Sequence, residues 1–302
     1  GVKLLLGKGM VIHPGDLIQE IESVEKATGK SLSKRIKIDE LAVLTLDTHR
    51  AFETVLKNWQ KGGSGSTGRG ISPAYADVLL RHPVRVRDIV PFHTNSIAAH
   101  YQLYQSLISG LGQDLSSTRV VTAAGEMMPV GSEKEFIQRL RTQAKKLNIF
   151  VTNLVPLLIK YWQDEQLGIV CEKAQAIGLD ARWGVYPDVT ASDTTFAGIQ
   201  AATEGAFNID EIPLRAAVIK ATYMSSVGAR QLPTHMTGAL ANQIRRDADE
   251  YGATTKRPRD IAYLDLPAIR FFLKVGGVKQ LILTHMDIIY DQPLKICVDY
   301  KL

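Results

Sequence analysis

Residues 266–287 read LPAIRFFLKVGGVKQLILTHMD, and a change of period inside this stretch decides the fold class. Leu266 to Lys274 carries apolar side chains at helical spacing, whereas Leu281 to Thr284 is a short apolar run of strand length. The same alternation extends outward from it. Strand-like runs occur at Leu167–Cys171, Ala216–Met224 and Lys295–Tyr300, and helical patterns lie around Thr194–Glu204 and Thr237–Glu250. Strand and helix in turn predict an α/β fold whose mostly parallel central sheet is covered by helices. In such sheets ligands collect at the carboxyl ends of strands, so the segments that follow strands are where chemistry is expected.

The first half of the chain is quieter. Leu4 to Leu6 reads as a buried strand, and Pro14-Gly15-Asp16 as a turn and N-cap leading into a helix with Leu17, Ile18, Ile21 and Val24 on one face. Residues 35–46 are ambiguous between strand and helix, and a helix is expected from there to Gln60. Tyr101 to Lys160 is mostly helical by pattern, with Phe136, Leu140 and Ala144 four residues apart. Neither an internal repeat nor a linker interrupts the sequence, so residues 1–302 are expected to form a single domain with a sizeable core.

Composition removes several functions. The chain has 36 Lys+Arg against 31 Asp+Glu, a formal charge of +5 spread too thinly for a nucleic-acid interface. Aromatic residues are 7% of the chain and do not interleave with the basic loops as a stacking platform would require. No apolar run approaches the ~20 residues that span a bilayer, and no basic segment precedes an apolar one as in a secretory leader, so a soluble cytoplasmic protein with no membrane partner is expected. Cys171 and Cys297 form no CxxC pair and no metal-ligand cluster, and both are expected to be inert thiols. The opening Gly1 to Gly7 lacks an initiator methionine, which suggests a chain that starts partway through a longer gene product.

Four segments can carry chemistry. Gly65-Ser66-Thr67-Gly68-Arg69-Gly70-Ile71-Ser72-Pro73-Ala74-Tyr75 could be a flexible loop, but Thr67 and Arg69 among the glycines and a helix start at Pro73 favour a phosphate cradle. Backbone N–H groups, a hydroxyl and a guanidinium would all donate to phosphate oxygens. It is not a Walker A loop, because no Gly-Lys-Ser/Thr follows. In the second segment, Glu172 to Gln175 would close the strand Leu167–Cys171. Gln175 then offers an amide to the edge of a heterocycle, while Thr190 to Thr195 supply helix-capping and ligand-facing hydroxyls. The third, Ala253-Thr254-Thr255-Lys256-Arg257-Pro258-Arg259-Asp260, could be a solvated charged loop; its two arginines, two positions apart, could equally hold two different anions. In the fourth, Thr284-His285-Met286-Asp287, the aspartate could accept from N1–H and the 2-amino group of guanine, although His285 stands where a lysine is usual.

Taken in order, these segments resemble the adenylosuccinate synthetase family. Its Gly-Thr-Thr-Gly-Arg-Gly-Ile-Gly-Pro-Ala-Tyr loop is similar to Gly65–Tyr75, and its Glu-Gly-Ala-Gln and Tyr-Pro-x-Val-Thr-Ser-Ser elements to Glu172–Gln175 and Tyr186–Ser192. Its Gly-Ala-Thr-Thr-Gly-Arg-x-Arg loop is similar to Gly252–Arg259, and its Thr-Lys-Leu-Asp to Thr284–Asp287. The likeness covers most of residues 1–20, 62–90 and 165–300. It implies the P-loop-NTPase-like fold of that family and a two-step ligase. GTP phosphorylates the 6-oxygen of IMP, and the amine of L-aspartate then displaces the phosphate, with Mg2+ assisting. By position, Thr67 and Thr190 would hold the IMP phosphate, Gln175 would contact the 6-oxygen, and Val227 would lie against IMP. Arg81 would reach the IMP of a neighbouring subunit in a homodimer. Thr254, Thr255 and Arg257 would bind the aspartate carboxylates, Arg257 also touching the IMP ribose, and Arg259, His285 and Asp287 would face the nucleoside triphosphate.

The departures are as informative. The family's Gly-Asp-Glu-Gly-Lys-Gly loop and Asn-Ala-Gly-His element, which carry its catalytic aspartate and histidine, belong upstream of Leu4–Gly9, and a C-terminal segment completes its base pocket. Neither lies within residues 1–302, so the chain reads as the middle and larger part of such an enzyme. Lys256 replaces a glycine, Asp260 a basic residue and His285 the lysine; an arginine is lost at Ser226 and one appears at Arg230. These changes leave two alternatives open: a phage-type relative that joins aspartate to GMP or dGMP using ATP or dATP, and a nucleotide-binding relative without catalysis.

Overall fold

Residues 1–59, 66–226, 231–252, 256–290 and 292–301 are described by the computed structural model. They form two units: Gly1–Glu172 with Ala197–Asn208, and Lys173–Phe196 with Ile209–Leu302.

In the first unit, Leu4–Leu6 (β1) and Val11–Ile12 (β2) precede the helix Pro14–Thr28 (α1). The cap of α1 is His13, three residues before the Asp16 that the pattern suggested. Its ring Nδ1 accepts the Asp16 N–H at 3.2 Å, Pro14 opens the first turn, and Gly29 at φ 65° closes the last. Residues 35–46 resolve into two strands, Ile36–Asp39 (β3) and Val43–Leu44 (β4), followed by Asp47–Trp59 (α2). Then come Ile71–Leu79 (α3), Val86–Ile89 (α4), Thr94–Gly110 (α5), a hairpin of Arg119–Val121 (β5) and Met127–Pro129 (β6), Glu133–Leu147 (α6), Val151–Thr152 (β7) and Val155–Trp162 (α7).

Strands β1, β3 and β7 form a parallel sheet with β3 central, and β2 pairs in parallel with β4. Helix α6 shows why the core lies beneath them. A reciprocal Ser132–Glu135 capping box starts it, and Phe136, Leu140, Ala144 and Leu147 then fall on one buried face. They join Ile38, Leu44, Ile97 and Tyr104 in a single apolar cluster. Residues 197–208, which include most of the helix Phe196–Ala202 (α8), rejoin this unit: Phe207 stacks on Trp162 at 4.7 Å, and Glu204 pairs with Lys8 at 3.0 Å.

The second unit contains Ala216–Lys220 (β8), Tyr223–Ser226 (β9), Gly238–Asp247 (α9), Asp260–Asp265 (β10), Leu266–Gly276 (α10), Gln280–Thr284 (β11) and Ile296–Cys297 (β12). Strand β11 runs parallel to β8, with Leu283 opposite Ile219, and β10 lies between antiparallel β9 and parallel β12. The α/β class with mainly parallel pairing is as expected, distributed over short sheets of two or three strands. Three sequence expectations are corrected here. Leu167–Cys171 forms no strand: the run finds no sheet partner, and Val170 is 93% exposed. Ala216–Met224 breaks at Ala221-Thr222 into two strands that pair with different neighbours, and only Ile296–Cys297 of residues 295–300 pairs. Among the described residues no helix is long and apolar enough to cross a membrane.

Candidate functional site

Within the glycine-rich segment, residues 60–65 lie outside the described residues. From Ser66 onward the chain is tied down at its backbone. The Thr45 hydroxyl donates to the carbonyls of Arg69 and Gly70, both at 3.1 Å, and the Gly70 N–H donates to Glu53 Oε2 at 2.7 Å. Arg69 is drawn to Asp16 at 3.4 Å, and the same carboxylate holds Arg50, which is 1% exposed. Burial pushes the Asp16 carboxyl up, but His13 and Arg50 outweigh it and leave it well below the usual carboxylate range. Thr67 is exposed ahead of this anchored turn, and Arg81 is exposed just beyond the other end of α3. Helix α3 therefore spaces the two.

What fixes α3 is a buried polar cluster that the sequence reading missed. Asp77 accepts from His49 Nε2 at 2.9 Å and from the Tyr104 hydroxyl at 3.0 Å, joining α3 to α2 and α5. His49 Nδ1 accepts the Leu46 N–H at 2.8 Å, so the ring is neutral with its proton on Nε2. Burial lowers the His49 pKa against the pull of Asp77, and lowers that of His100 further, with His49 and His82 adding to the effect. His49, Asp77 and His100 lie close enough to suggest a metal site. The hydrogen bonds argue otherwise: both His49 nitrogens are occupied, Asp77 is shared with Tyr104, and a nitrogen-rich set is unsuited to magnesium. Sequence offered no signal for this cluster, since Asp77 sits on an apolar helix face.

The second unit carries Gln175, Thr190, Arg257, Arg259, His285 and Asp287, whereas Thr67 and Arg81 belong to the first. Gln175 is exposed, in a stretch without a strand, at φ 67°. Thr190 belongs to a turn organised by Asp180, which is 1% exposed. Its carboxylate accepts from the backbone of Arg182, Trp183 and Thr194 and from the Thr194 hydroxyl. The Thr190 N–H donates to the Leu179 carbonyl at 2.7 Å, and its hydroxyl meets that of Ser192 at 3.2 Å. Asp193 accepts from Thr195, so part of this cluster does serve as local capping.

Val227, Thr254 and Thr255 lie outside the described residues. Arg257 is exposed, and its carbonyl accepts the Gly252 N–H at 2.8 Å. Arg259 turns inward, donating from Nη1 to Glu250 Oε2 at 3.0 Å. Glu250 is 1% exposed and also meets Lys220 Nζ and the Tyr223 hydroxyl, whose oxygen lies 3.1 Å from His285 Nδ1. Burial raises the Glu250 carboxyl, but Lys220, Tyr223 and Arg259 outweigh it, so it is ionised. Asp287, two residues beyond His285, is exposed. A cavity of about 580 Å³ elsewhere in this unit is lined by Trp183, Phe271, Phe272 and Tyr300, and by none of the residues expected to bind ligand.

Backbone strain adds an independent mark. Among the described residues, the non-glycine residues in the left-handed region are Arg81, Gln175, Glu204, Asp249, Lys256 and His285. Each such residue costs ~1–3 kcal/mol and tends to persist at functional sites. Three of these six are residues selected from sequence as ligand contacts, and Lys256 adjoins a fourth, Arg257.

Parallel strand pairing, with helices between the strands and polar loops after them, defines the α/β class of proteins. The comparisons narrow it. The family model described as adenylosuccinate synthetase matches residues 1–302, and the chain belongs to that family. It is 31% identical over 307 residues to the adenylosuccinate synthetase of Salinibacter ruber, with 100% of this chain and 66% of the relative covered. With that of Thermus thermophilus it shares 32% over 297 residues, covering 98% and 66%. The chain thus spans about two thirds of the length of such relatives. In structure it is similar to a fully ligated adenylosuccinate synthetase from Plasmodium falciparum, with TM-score 0.78 and 25% identity over 94% of this chain and 62% of that one. It also shares the fold of the cyanophage S-2L succinoaminodeoxyadenylate synthetase, with TM-score 0.56 and 16% identity over 93% and 65%.

Proposed function

We propose that this chain is the larger part of a ligase that forms a C–N bond between L-aspartate and IMP, with GTP hydrolysed to GDP and phosphate. The observation that carries this reading is the coincidence of strained backbone with the residues chosen by motif: Arg81, Gln175 and His285. In the first step the 6-oxygen of IMP attacks the terminal phosphorus of GTP. In the second, the aspartate nitrogen adds at C6, the C6–O bond breaks and phosphate leaves.

This chain's contribution is to bind and orient. Thr67 and Thr190 donate hydroxyls to the monophosphate, and the Gln175 amide donates where negative charge gathers at the 6-oxygen. Thr254, Thr255 and Arg257 take the aspartate carboxylates, with the guanidinium fork suited to bidentate pairing. Val227 lies along IMP, and Arg259, His285 and Asp287 serve the triphosphate. The family resemblance implies Mg2+, with ligands expected mostly in the family's upstream Gly-Asp-Glu-Gly-Lys-Gly loop; the buried His49–Asp77–His100 group does not fit it, because its hydrogen bonds already occupy both His49 nitrogens and Asp77. A homodimer is supported by the exposed, left-handed Arg81, and a monomer in sedimentation would remove that part of the proposal.

The test is phosphate release by the protein that carries this chain. Turnover that requires both IMP and aspartate supports the reading, and Arg257→Ala should weaken aspartate binding ~10- to 100-fold, the equivalent of one charge-assisted hydrogen bond. A second reading is favoured by one observation, His285 in place of lysine. The cyanophage protein with this fold was solved with dGMP and with dATP as energy donor. Release only with GMP or dGMP would overturn the IMP assignment in favour of that reaction, and tight nucleotide binding without turnover would leave a non-catalytic relative.

A further inference from the structure

Glu250 is a buried, charged side chain of the second unit that no motif selected. Its backbone is held at both ends, the N–H on the Arg245 carbonyl and the carbonyl on the Arg259 N–H, each at 2.9 Å. Its carboxylate, 1% exposed, receives Lys220 Nζ and the Tyr223 hydroxyl on Oε1 and Arg259 Nη1 on Oε2. Two cations on a buried anion keep it ionised, and an ionised carboxylate can only accept.

That restriction propagates. The Tyr223 proton is committed to Glu250 across 2.5 Å, so the phenol oxygen has only lone pairs left for its other neighbour, His285 Nδ1, at 3.1 Å. Nδ1 must therefore carry the proton. A neutral imidazole has one N–H, which leaves Nε2 as a bare acceptor. The ring stands edge-on to Tyr223, 5.8 Å between centroids at 88°, and no hydrogen bond to Nε2 occurs among the described residues.

We infer that Glu250 is a positioning residue which, through Tyr223, fixes His285 as the Nδ1–H tautomer, so that Nε2 presents a hydrogen-bond acceptor to the ligand's base. This rests on the proposal that residues 284–287 face the nucleoside triphosphate, and it changes one part of that proposal: the base selected there is adenine, so ATP replaces GTP as the phosphate donor. A lysine at this position can only donate and suits the 6-carbonyl of a purine. A histidine with a bare Nε2 reverses that polarity and suits a 6-amino group. Position 285 thus becomes a specificity determinant whose sign is set by a buried carboxylate that touches no ligand.

The tautomer can be read directly by nitrogen-15 NMR of histidine-labelled chain, the His285 resonances assigned by their loss in His285→Gln. The Nδ1–H form is expected in the wild type. Tyr223→Phe, which removes only the oxygen, should return the ring to the Nε2–H form that free imidazoles favour, whereas Glu250→Gln should give a mixture. Near-UV circular dichroism checks that each variant folds; should Glu250→Gln unfold, Tyr223→Phe alone decides. Titration with ATP and GTP then tests the consequence: ATP is expected to bind ~10-fold tighter to the wild type, and Tyr223→Phe to abolish the preference. An Nε2–H ring in the wild type overturns the inference, as does a GTP preference with the Nδ1–H ring in place. An Nδ1–H ring in a chain that binds neither nucleotide supports the positioning role and overturns the placement of the base at residues 284–287.

Discussion

Replacing Gly70 by alanine tests how tightly the phosphate-loop candidate is built. Gly70 has φ 73°, and a side chain there costs ~1–2 kcal/mol through the left-handed backbone alone. A Cβ would also stand 2.7 Å from Thr45 Oγ1, 2.8 Å from His49 Cβ and 2.9 Å from the Arg50 backbone nitrogen. The last belongs to α2 and cannot swing aside, so overpacking adds ~1–3 kcal/mol. The total is a loss of ~2–5 kcal/mol from the first unit. Gly68→Ala is the matched control: φ 71° with nothing within 4 Å of the added carbon, hence strain alone, ~1–2 kcal/mol.

Urea unfolding measures both. In a Trp183→Phe background the remaining tryptophans, Trp59 and Trp162, both lie in the first unit, so fluorescence reports that unit. With m of ~1–3 kcal/mol/M, the two midpoints should differ by about 1 M. Because Thr67 precedes the anchored turn, Gly70→Ala should also raise KM for the purine monophosphate more than Gly68→Ala does. Equal destabilisation by the two substitutions would refute the claim that Thr45, His49 and Arg50 clamp this turn.

Acid sensitivity should begin early. Burial holds His49 and His100 below their ordinary value of 6.5, so the unfolded chain binds their protons first. Stability is then fully present above pH 6.5 and falls below it by up to ~1.4 kcal/mol per pH unit for each histidine. Urea midpoints from pH 7 to pH 4.5 should show this slope, and His100→Gln should roughly halve it; a flat profile would contradict the account. Asp180→Ala removes the acceptor of four hydrogen bonds from a buried turn and should cost ~2–4 kcal/mol. Trp183 fluorescence would follow that loss, and KM for the monophosphate should rise with it, because the turn places Thr190.

Local and repetitive signals were legible in the sequence. The Phe136, Leu140 and Ala144 spacing announced α6, and the period change at residues 266–284 announced α10 and β11. Residue chemistry and motif order in the four candidate loops pointed to the family to which the chain belongs. What could not be read depends on partners distant in sequence. Leu167–Cys171 has strand composition, yet no sheet edge receives it. Asp77 looks like a misplaced polar residue until His49 and Tyr104, 28 and 27 positions away, close on it. Asp16 seemed to be a cap, but most of its work is done on Arg50 and Arg69, 34 and 53 positions away. Glu250 carries no motif of its own. Its importance lies in having Lys220, Tyr223 and Arg259 as neighbours, and no window of sequence contains that fact.

The chain passes between its two units at residues 172–173, 196–197 and 208–209, so each is assembled from two separate pieces of sequence. During synthesis the first unit cannot be finished when residue 172 leaves the ribosome. It waits for Glu204 and Phe207 to reach Lys8 and Trp162, and by then the opening stretch of the second unit has already been made. The apolar cluster of the first unit, drawn from residues 6–151, is complete before then, so what arrives late is the piece 197–208 alone. Closure of the first unit around Trp162 and Lys8 is thereby delayed until the chain has extended past residue 208.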